Sequence, residues 1–419
     1  MSIPAPVSTR VLVARQPILD RSGRVFAYEL RHREPTFAVT REVVPDDRAT
    51  ARVLTDGLLA IGFEALTGGR QAFINVSRQF LLDGIPAGLP PGAVVFGVGA
   101  DVEADATVVS ACRALYDAGY GFAVDPFLVA TAQTDLVQLA SYVRVDFTDA
   151  ATTADRTRAL GGNVPPGLAP VATRVETAEQ FQQAVTEGYQ YFQGRFFGQP
   201  AVKEGRSLPA QQMAQLRLLR ALNNPNLGAH QFADLIKPDP AMCYRVLRAV
   251  NSAQFAQQKT VSSIPEALVL LGRDTVRRWV SLWSLAGLGQ GASPALLTTA
   301  TLRGRFCELL AEHSGRDDAG EGFLLGLCSL LDAILGQPMA SIVPDLPLPS
   351  GMKAALLGED NSDGRLLRCA AAWEQGQWDD AIELAEAAGL DAHALAGTYA
   401  TAVRWATDLE RLSEGGSAA

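Results

Sequence analysis

A chain of 419 residues is too long for one ordinary hydrophobic core, which predicts two domains of about 200 residues each. Hydrophobic residues make up 48% and charged residues 19%, a globular balance that excludes wholesale disorder. The net charge of −9 argues against a chain built to coat nucleic acid.

Short apolar runs at 11–15, 25–30, 72–76, 94–98, 122–125, 142–146, 170–173 and 189–192 predict strands buried on both faces. Amphipathic stretches at 46–61, 104–119, 155–160 and 177–187 predict helices between them. Strands alternating with helices in this way predict an α/β, TIM-like barrel. The tight turn Asp20-Arg21-Ser22-Gly23 joins the first two strands as a hairpin, so the first strand is expected to run antiparallel. This modified barrel is expected to fill 1–201, with a polar linker at 202–212 that contains Pro209.

From 213 to 414 the pattern is helical only, an all-α bundle, and 415–419 reads as a disordered tail. Asp239-Pro240 places a cap and a first-turn proline ahead of Met242, Val246, Leu247 and Val250. Ser263-Ile264-Pro265-Glu266 has the form of a capping box, and Gly272 stops that helix. Asp274 opens the next helix, and further helices are expected at 300–314, 322–335, 363–374, 378–388 and 392–414. Trp279, Trp283, Trp373, Trp378 and Trp405 are expected in the core. Arg273, Arg277, Arg278, Arg303 and Arg305 are expected on solvated helix faces balanced by nearby acids.

The five cysteines are far apart and form no CxxC pair, so neither a zinc site nor a disulfide framework is expected. The N-terminal residues have no charged region leading into a long apolar stretch, so a secretory signal is not expected, and no apolar run reaches the length of a membrane span. A cytoplasmic protein without membrane insertion is expected.

In an α/β barrel, chemistry gathers at the carboxyl ends of the strands. Those ends carry Glu29, Asn75, Gly97, Asp125, Arg144, Thr173 and Gln193. Two carboxylates and an amide from different strands could hold a hard cation such as magnesium. Isolated polar residues at strand ends also cap loops, and spacing by itself favours that reading.

Six segments in order resemble the EAL domain: Gln16-Pro17-Ile18, Tyr28-Glu29-Leu30, Phe73-Ile74-Asn75-Val76-Ser77, Val124-Asp125, Val175-Glu176-Thr177 and Phe192-Gln193-Gly194-Arg195-Phe196-Phe197. The second half resembles the HDOD domain through Asp239-Pro240, Arg248-Ala249-Val250-Asn251-Ser252, Ser263-Ile264-Pro265-Glu266-Ala267, Leu271-Gly272 and the stretch 323–332 with Gly326 and Leu331. EAL followed by HDOD is an arrangement of bacterial signalling proteins. The first resemblance implies a two-metal phosphodiesterase fold that linearises cyclic di-GMP, with Glu29, Asn75 and Asp125 at metal positions and Glu176 and Gln193 in support. It implies nucleotide contacts for Gln16 and Arg33.

Other positions of the family's ring are substituted. Gly97 and Ala100 stand where acids are expected, Pro126 where a second aspartate follows Asp125, and Thr173 where a glutamate would lie. Arg144 stands at the place of the family's lysine, and no lysine at all precedes Lys203. An arginine keeps its proton and is a poor replacement in acid–base work. HDOD domains resemble HD metal hydrolases without the His-Asp pair. None of His32, His230, His313 and His393 is followed by aspartate, and Ser329 falls near an expected metal histidine.

The expectation is therefore a protein that is no longer an enzyme, with no catalytic residue, metal or cofactor. It would act in the cyclic di-GMP pathway through other signalling proteins, such as cyclic di-GMP enzymes or response regulators. The resemblance implies outputs in motility, surface attachment or biofilm formation. The alternatives are an effector that binds cyclic di-GMP weakly without hydrolysing it, and a residual phosphodiesterase. Nucleic-acid binding is not expected, because basic and aromatic residues do not interleave.

Overall fold

In a computed structural model of the chain, the described residues are 12–33, 62–83, 89–130, 134–148, 153–159, 166–198, 218, 221, 228–237, 242–243, 246–247, 250, 261, 263–288, 293–316, 319–346 and 348–414. The expected helix at 46–61, the linker at 202–212 and the tail at 415–419 lie outside them, as do the side chains of His32, Arg33, His230 and Trp283. The chain forms two compact units. One contains 1–199 together with 371–381 and 392–404; the other contains 200–370, 382–391 and 405–419. The first break, after Gln199, falls beside the expected linker, but 371–381 and 392–404 group with the barrel and not with the bundle they follow in sequence.

The barrel is closed, with strands in chain order: β1 Leu12–Asp20, β2 Val25–Arg33, β3 Gln71–Val76, β4 Val94–Val98, β5 Gly121–Val124, β6 Tyr142–Asp146, β7 Ala169–Thr173 and β8 Tyr191–Phe192. As the hairpin predicts, β1 is antiparallel to β2 and also to β8, while the other neighbours are parallel. The turn is fixed by Asp20, whose Oδ1 accepts from the Ser22 and Arg24 amides at 2.8 and 3.0 Å.

Side chains alternate along a strand, so every second residue faces the barrel interior. One interior layer is apolar and aromatic: Ile18, Ala27, Phe73, Val95, Ala123 and Val171, packed with Tyr142 and Tyr191. Two residues further along each strand, toward the carboxyl ends of β2 to β8, the next layer comes from Gln16, Glu29, Asn75, Gly97, Asp125, Arg144, Thr173 and Gln193. The apolar layer is thus a floor beneath a polar one.

The outer helices Ala106–Asp117, Thr153–Ala159 and Ala178–Thr186 follow the predicted stretches to within two residues. The last begins with a reciprocal capping box between Thr177 and Gln180. Helices Phe63–Thr67, Arg78–Asp83, Pro126–Ala130 and Thr134–Val137 were not expected, being too short to show a helical period. Within this same unit Trp373 Nε1 donates to the Val13 carbonyl at 3.2 Å, and Arg31 Nη1 donates to the Gln375 carbonyl at 3.0 Å.

In the second unit a core of Phe232, Ile236, Met242, Val246, Val250, Ile264 and Val276 confirms the inward positions read from sequence. Ser263 Oγ caps helix Ile264–Leu271 by accepting from the Glu266 amide at 3.3 Å, and Gly272 ends it at φ 80°. Helix Pro294–His313 starts six residues before its expected beginning, with Pro294 in its first turn. The expected helix at 322–335 is two helices, Ala319–Cys328 and Leu331–Leu335. Gly326 lets the first of these lie against Pro294–His313, since a Cβ there would meet the Arg303 carbonyl. No helix among the described residues is long and apolar enough to cross a membrane.

Candidate functional site at the barrel mouth

The polar layer converges on Glu29, a carboxylate only 2% exposed. Arg144 Nη2 donates to its Oε1 at 2.8 Å, and Asn75 Nδ2 donates to the same oxygen at 3.1 Å. Gln193 Nε2 donates to Oε2 at 2.8 Å, and Arg31 Nε lies 3.5 Å from Oε2. Arg144 Nη1 also donates to Asn75 Oδ1, which closes a ring of Glu29, Asn75 and Arg144. Gln16 joins at the edge, its Oε1 accepting from Gln193 Nε2 at 3.3 Å.

Register explains the convergence. Gln16 pairs with Glu29 across β1 and β2, and Asn75 pairs with Gly97 across β3 and β4. Gln193 lies just beyond β8, where its amide donates to Ala172. Gly194 follows it at φ 153°, a conformation in which any Cβ would run into the Val175 backbone. Burial pushes the Glu29 carboxyl up, but the charges of Arg144 and Arg31, with the Gln193 and Asn75 amides, outweigh burial and hold it below its ordinary value.

Asp125 and Glu176, expected beside Glu29, are engaged by other groups. Asp125 Oδ1 accepts from the Phe127 amide at 2.8 Å and so caps the short helix in which Pro126 is the first residue. Glu176 Oε2 accepts from Arg195 Nε at 2.5 Å. Thr173 donates its hydroxyl to the Val145 carbonyl at 3.2 Å, and Ala100 lies exposed in the turn after β4. At Gly97 an added Cβ would strike Asn75 Oδ1 and lie 3.0 Å from Arg144 Nη1, so that space is already filled.

Two divalent ions close together need several anionic oxygens turned into one space. Among the described residues no group of three or more His, Cys, Asp or Glu is placed to hold a metal ion. The donor set at the mouth does not fit such a centre: one carboxylate faces a guanidinium, and the others are turned to a helix end and to Arg195.

Sequence reasoning missed Arg31. The signal was available, because Arg31 stands two residues after Glu29 in β2 and so shares its face. The placement of the second unit's arginines on solvated faces also needs correction. Arg277, Arg278 and Arg305 converge on Glu308, itself 1% exposed, with ion-pair distances of 3.2, 3.0 and 2.8 Å. Helix packing brings three guanidinium groups around one carboxylate and takes them largely out of water. Nearby, Ser329 accepts from Arg303 Nη1 at 3.0 Å. Burial raises the carboxyl of Asp332.

A model of the HDOD domain matches residues 208–345. Over 408 residues the chain is 31% identical to the protein YuxH of Bacillus subtilis (strain 168), covering 96% of this chain and 99% of that protein. Over 405 residues it is 29% identical to "Cyclic di-GMP phosphodiesterase CdgJ" of Vibrio cholerae, covering 96% of this chain and 93% of that protein. Among solved structures, a standalone EAL protein from Vibrio cholerae O395 in its c-di-GMP bound form is similar at 21% identity and a TM-score of 0.35, covering 45% of this chain and 91% of that one.

Proposed function

Because the chain belongs to the family of proteins that join an EAL barrel to an HDOD domain, we propose that it serves cyclic di-GMP signalling without hydrolysing the dinucleotide. It acts by binding other signalling proteins, with cyclic di-GMP enzymes and response regulators as the partner class. One observation carries the reading: the Arg144 guanidinium is hydrogen-bonded to both Glu29 and Asn75, so two of the residues matching metal positions already hold a cation.

The chemistry supports it. Hydrolysis through two metals requires both ions to polarise the phosphate and to lower the pKa of the attacking water. With Glu29 neutralised by Arg144, Asp125 on a helix end and Glu176 on Arg195, too few anionic oxygens remain for that task. Arg144 does not replace a lysine in proton transfer, since a guanidinium stays charged throughout the physiological range.

The test is incubation of the full chain with cyclic di-GMP and magnesium or manganese, followed by chromatography. No linear dinucleotide is expected above a protein-free control. Linear product that rises with protein concentration and disappears in Glu29→Ala would overturn the reading. A second reading, a non-hydrolysing cyclic di-GMP effector, is favoured by Gln16, which Gln193 holds at the mouth beside Glu29. Titration calorimetry without metal separates the two, because a binding isotherm weakened by Gln16→Ala supports the effector and a flat trace supports the pure interaction protein.

A further inference from the structure

We infer that Arg144 is a tethered cation that takes the place of a divalent ion at the barrel mouth, and that Gly97 lacks a side chain because this guanidinium and the Asn75 amide need its space. The inference rests on the non-hydrolysing reading above and adds a cause to it: the site is closed to metal by an occupant, beyond being short of ligands.

Three observations carry it. First, Arg144 Nη2 meets Glu29 Oε1 at 2.8 Å while Nη1 meets Asn75 Oδ1, so one planar group bridges oxygens contributed by β2 and β3. A divalent ion would draw on the same two oxygens, and the guanidinium satisfies them with directional bonds and a charge that pH does not remove. Second, the Glu29 carboxylate is buried and costly to leave without cations: Arg31 stands 3.5 Å from Oε2, and Arg144 supplies the closer charge at Oε1, 2.8 Å away. A cation attached to the chain is always at high local concentration, and a dissolved ion must displace it.

Third, the space beside Gly97 is used. A Cβ there would strike Asn75 Oδ1 and crowd Arg144 Nη1. A side chain at position 97 therefore requires the Asn75 and Arg144 ends of the bridge to shift. Gly97 and Arg144 form one structural choice.

Mn2+ is the probe, read by thermal unfolding of the full chain and by the loss of the free-ion signal in electron paramagnetic resonance. Arg144→Ala is expected to melt below the wild-type chain, and Mn2+ is expected to restore part of that loss while leaving wild type unchanged. Its Mn2+ affinity is expected to exceed wild type by at least about tenfold. The gain is expected to vanish in Arg144→Ala with Glu29→Gln. If Arg144→Ala does not fold, Arg144→Gln takes its place in the same titration.

Gly97→Ala supplies the second arm. Its destabilisation is expected to be larger in the wild-type background than in the Arg144→Ala background, since the two residues share one space. Equal losses in both backgrounds, Mn2+ bound by wild type through Glu29, or a folded Arg144 variant that gains no Mn2+ site would each overturn the inference. The last of these leaves the non-hydrolysing reading standing, whereas turnover of cyclic di-GMP by the wild-type chain would remove that reading itself.

Discussion

Glu29 in the barrel and Glu308 in the helical unit are both almost wholly buried carboxylates held by arginines, yet they are assembled in different ways. Around Glu29 a closed barrel gives one inward side chain per strand in each layer, so Asn75, Arg144 and Gln193 reach it from β3, β6 and the end of β8, while Arg31 follows on its own strand; the partners are mixed, two guanidinium groups and two amides. Around Glu308 the partners Arg277 and Arg278 come from helix Arg273–Leu288, and Arg305 precedes Glu308 by one turn on its own helix. Glu29 shares its layer with groups that could serve a ligand. Glu308 is enclosed by cations and serves packing. The contrast teaches that a buried carboxylate becomes a site or a structural tie according to which neighbours the architecture can bring to it.

The strongest way to break that contrast is at the helical cluster. Glu308→Gln keeps the volume but leaves Arg277, Arg278 and Arg305 facing each other without their carboxylate. Breaking a buried ion pair on one side costs about 3–5 kcal/mol, so a loss of that order is expected for the transition of the helical unit. Denaturant unfolding followed by tryptophan fluorescence measures it. A loss below about 1 kcal/mol would show that the three arginines have other sufficient anchors.

At the barrel the sharper instrument is pH. Burial works to raise the Glu29 carboxyl, but Arg144 and Arg31 with the two amides leave it lowered. A carboxyl whose folded pKa lies below its unfolded value stabilises the fold above that unfolded value, about 4.3, and loses this contribution as pH falls through the folded one. Wild type is therefore expected to lose stability more steeply below about pH 4.3 than Glu29→Gln does. Asp20 and Asp105 are lowered as well, so the difference between the two proteins is the measured quantity. Parallel pH profiles would mean that Glu29 is not held by charge.

Much of this was legible in the sequence for reasons that can be named. Strand alternation places Glu29, Asn75, Gly97, Arg144 and Gln193 in one interior layer, and the turn at Asp20–Gly23 forces the antiparallel β1. What stayed hidden depends on where long side chains end. Nothing in the spacing says that Arg144 reaches across to Glu29, that Asp125 turns to the Phe127 amide, or that Glu176 turns to Arg195. The grouping of 371–381 with the barrel was hidden too, because Trp373 meets the Val13 carbonyl across a sequence separation that no local pattern records.

The smallest expected effect tests whether the mouth network ends where the structure places its edge. Glu176 and Arg195 are joined at 2.5 Å, but their side chains are 28% and 64% exposed. In water such a pair gains little, because solvent screens the charges and both side chains lose freedom when held together. Arg195→Ala is therefore expected to change stability by no more than about 0.5 kcal/mol, against the several kcal/mol expected at Glu308. The backbone around the pair is held separately, by Gly194 against Val175 and by the capping box of Thr177 and Gln180, so the substitution should leave local structure intact. A loss above about 1.5 kcal/mol would mean that Glu176 is tied to the Glu29 layer through Arg195, and the mouth would then be a larger charged network than the ring of Glu29, Asn75 and Arg144.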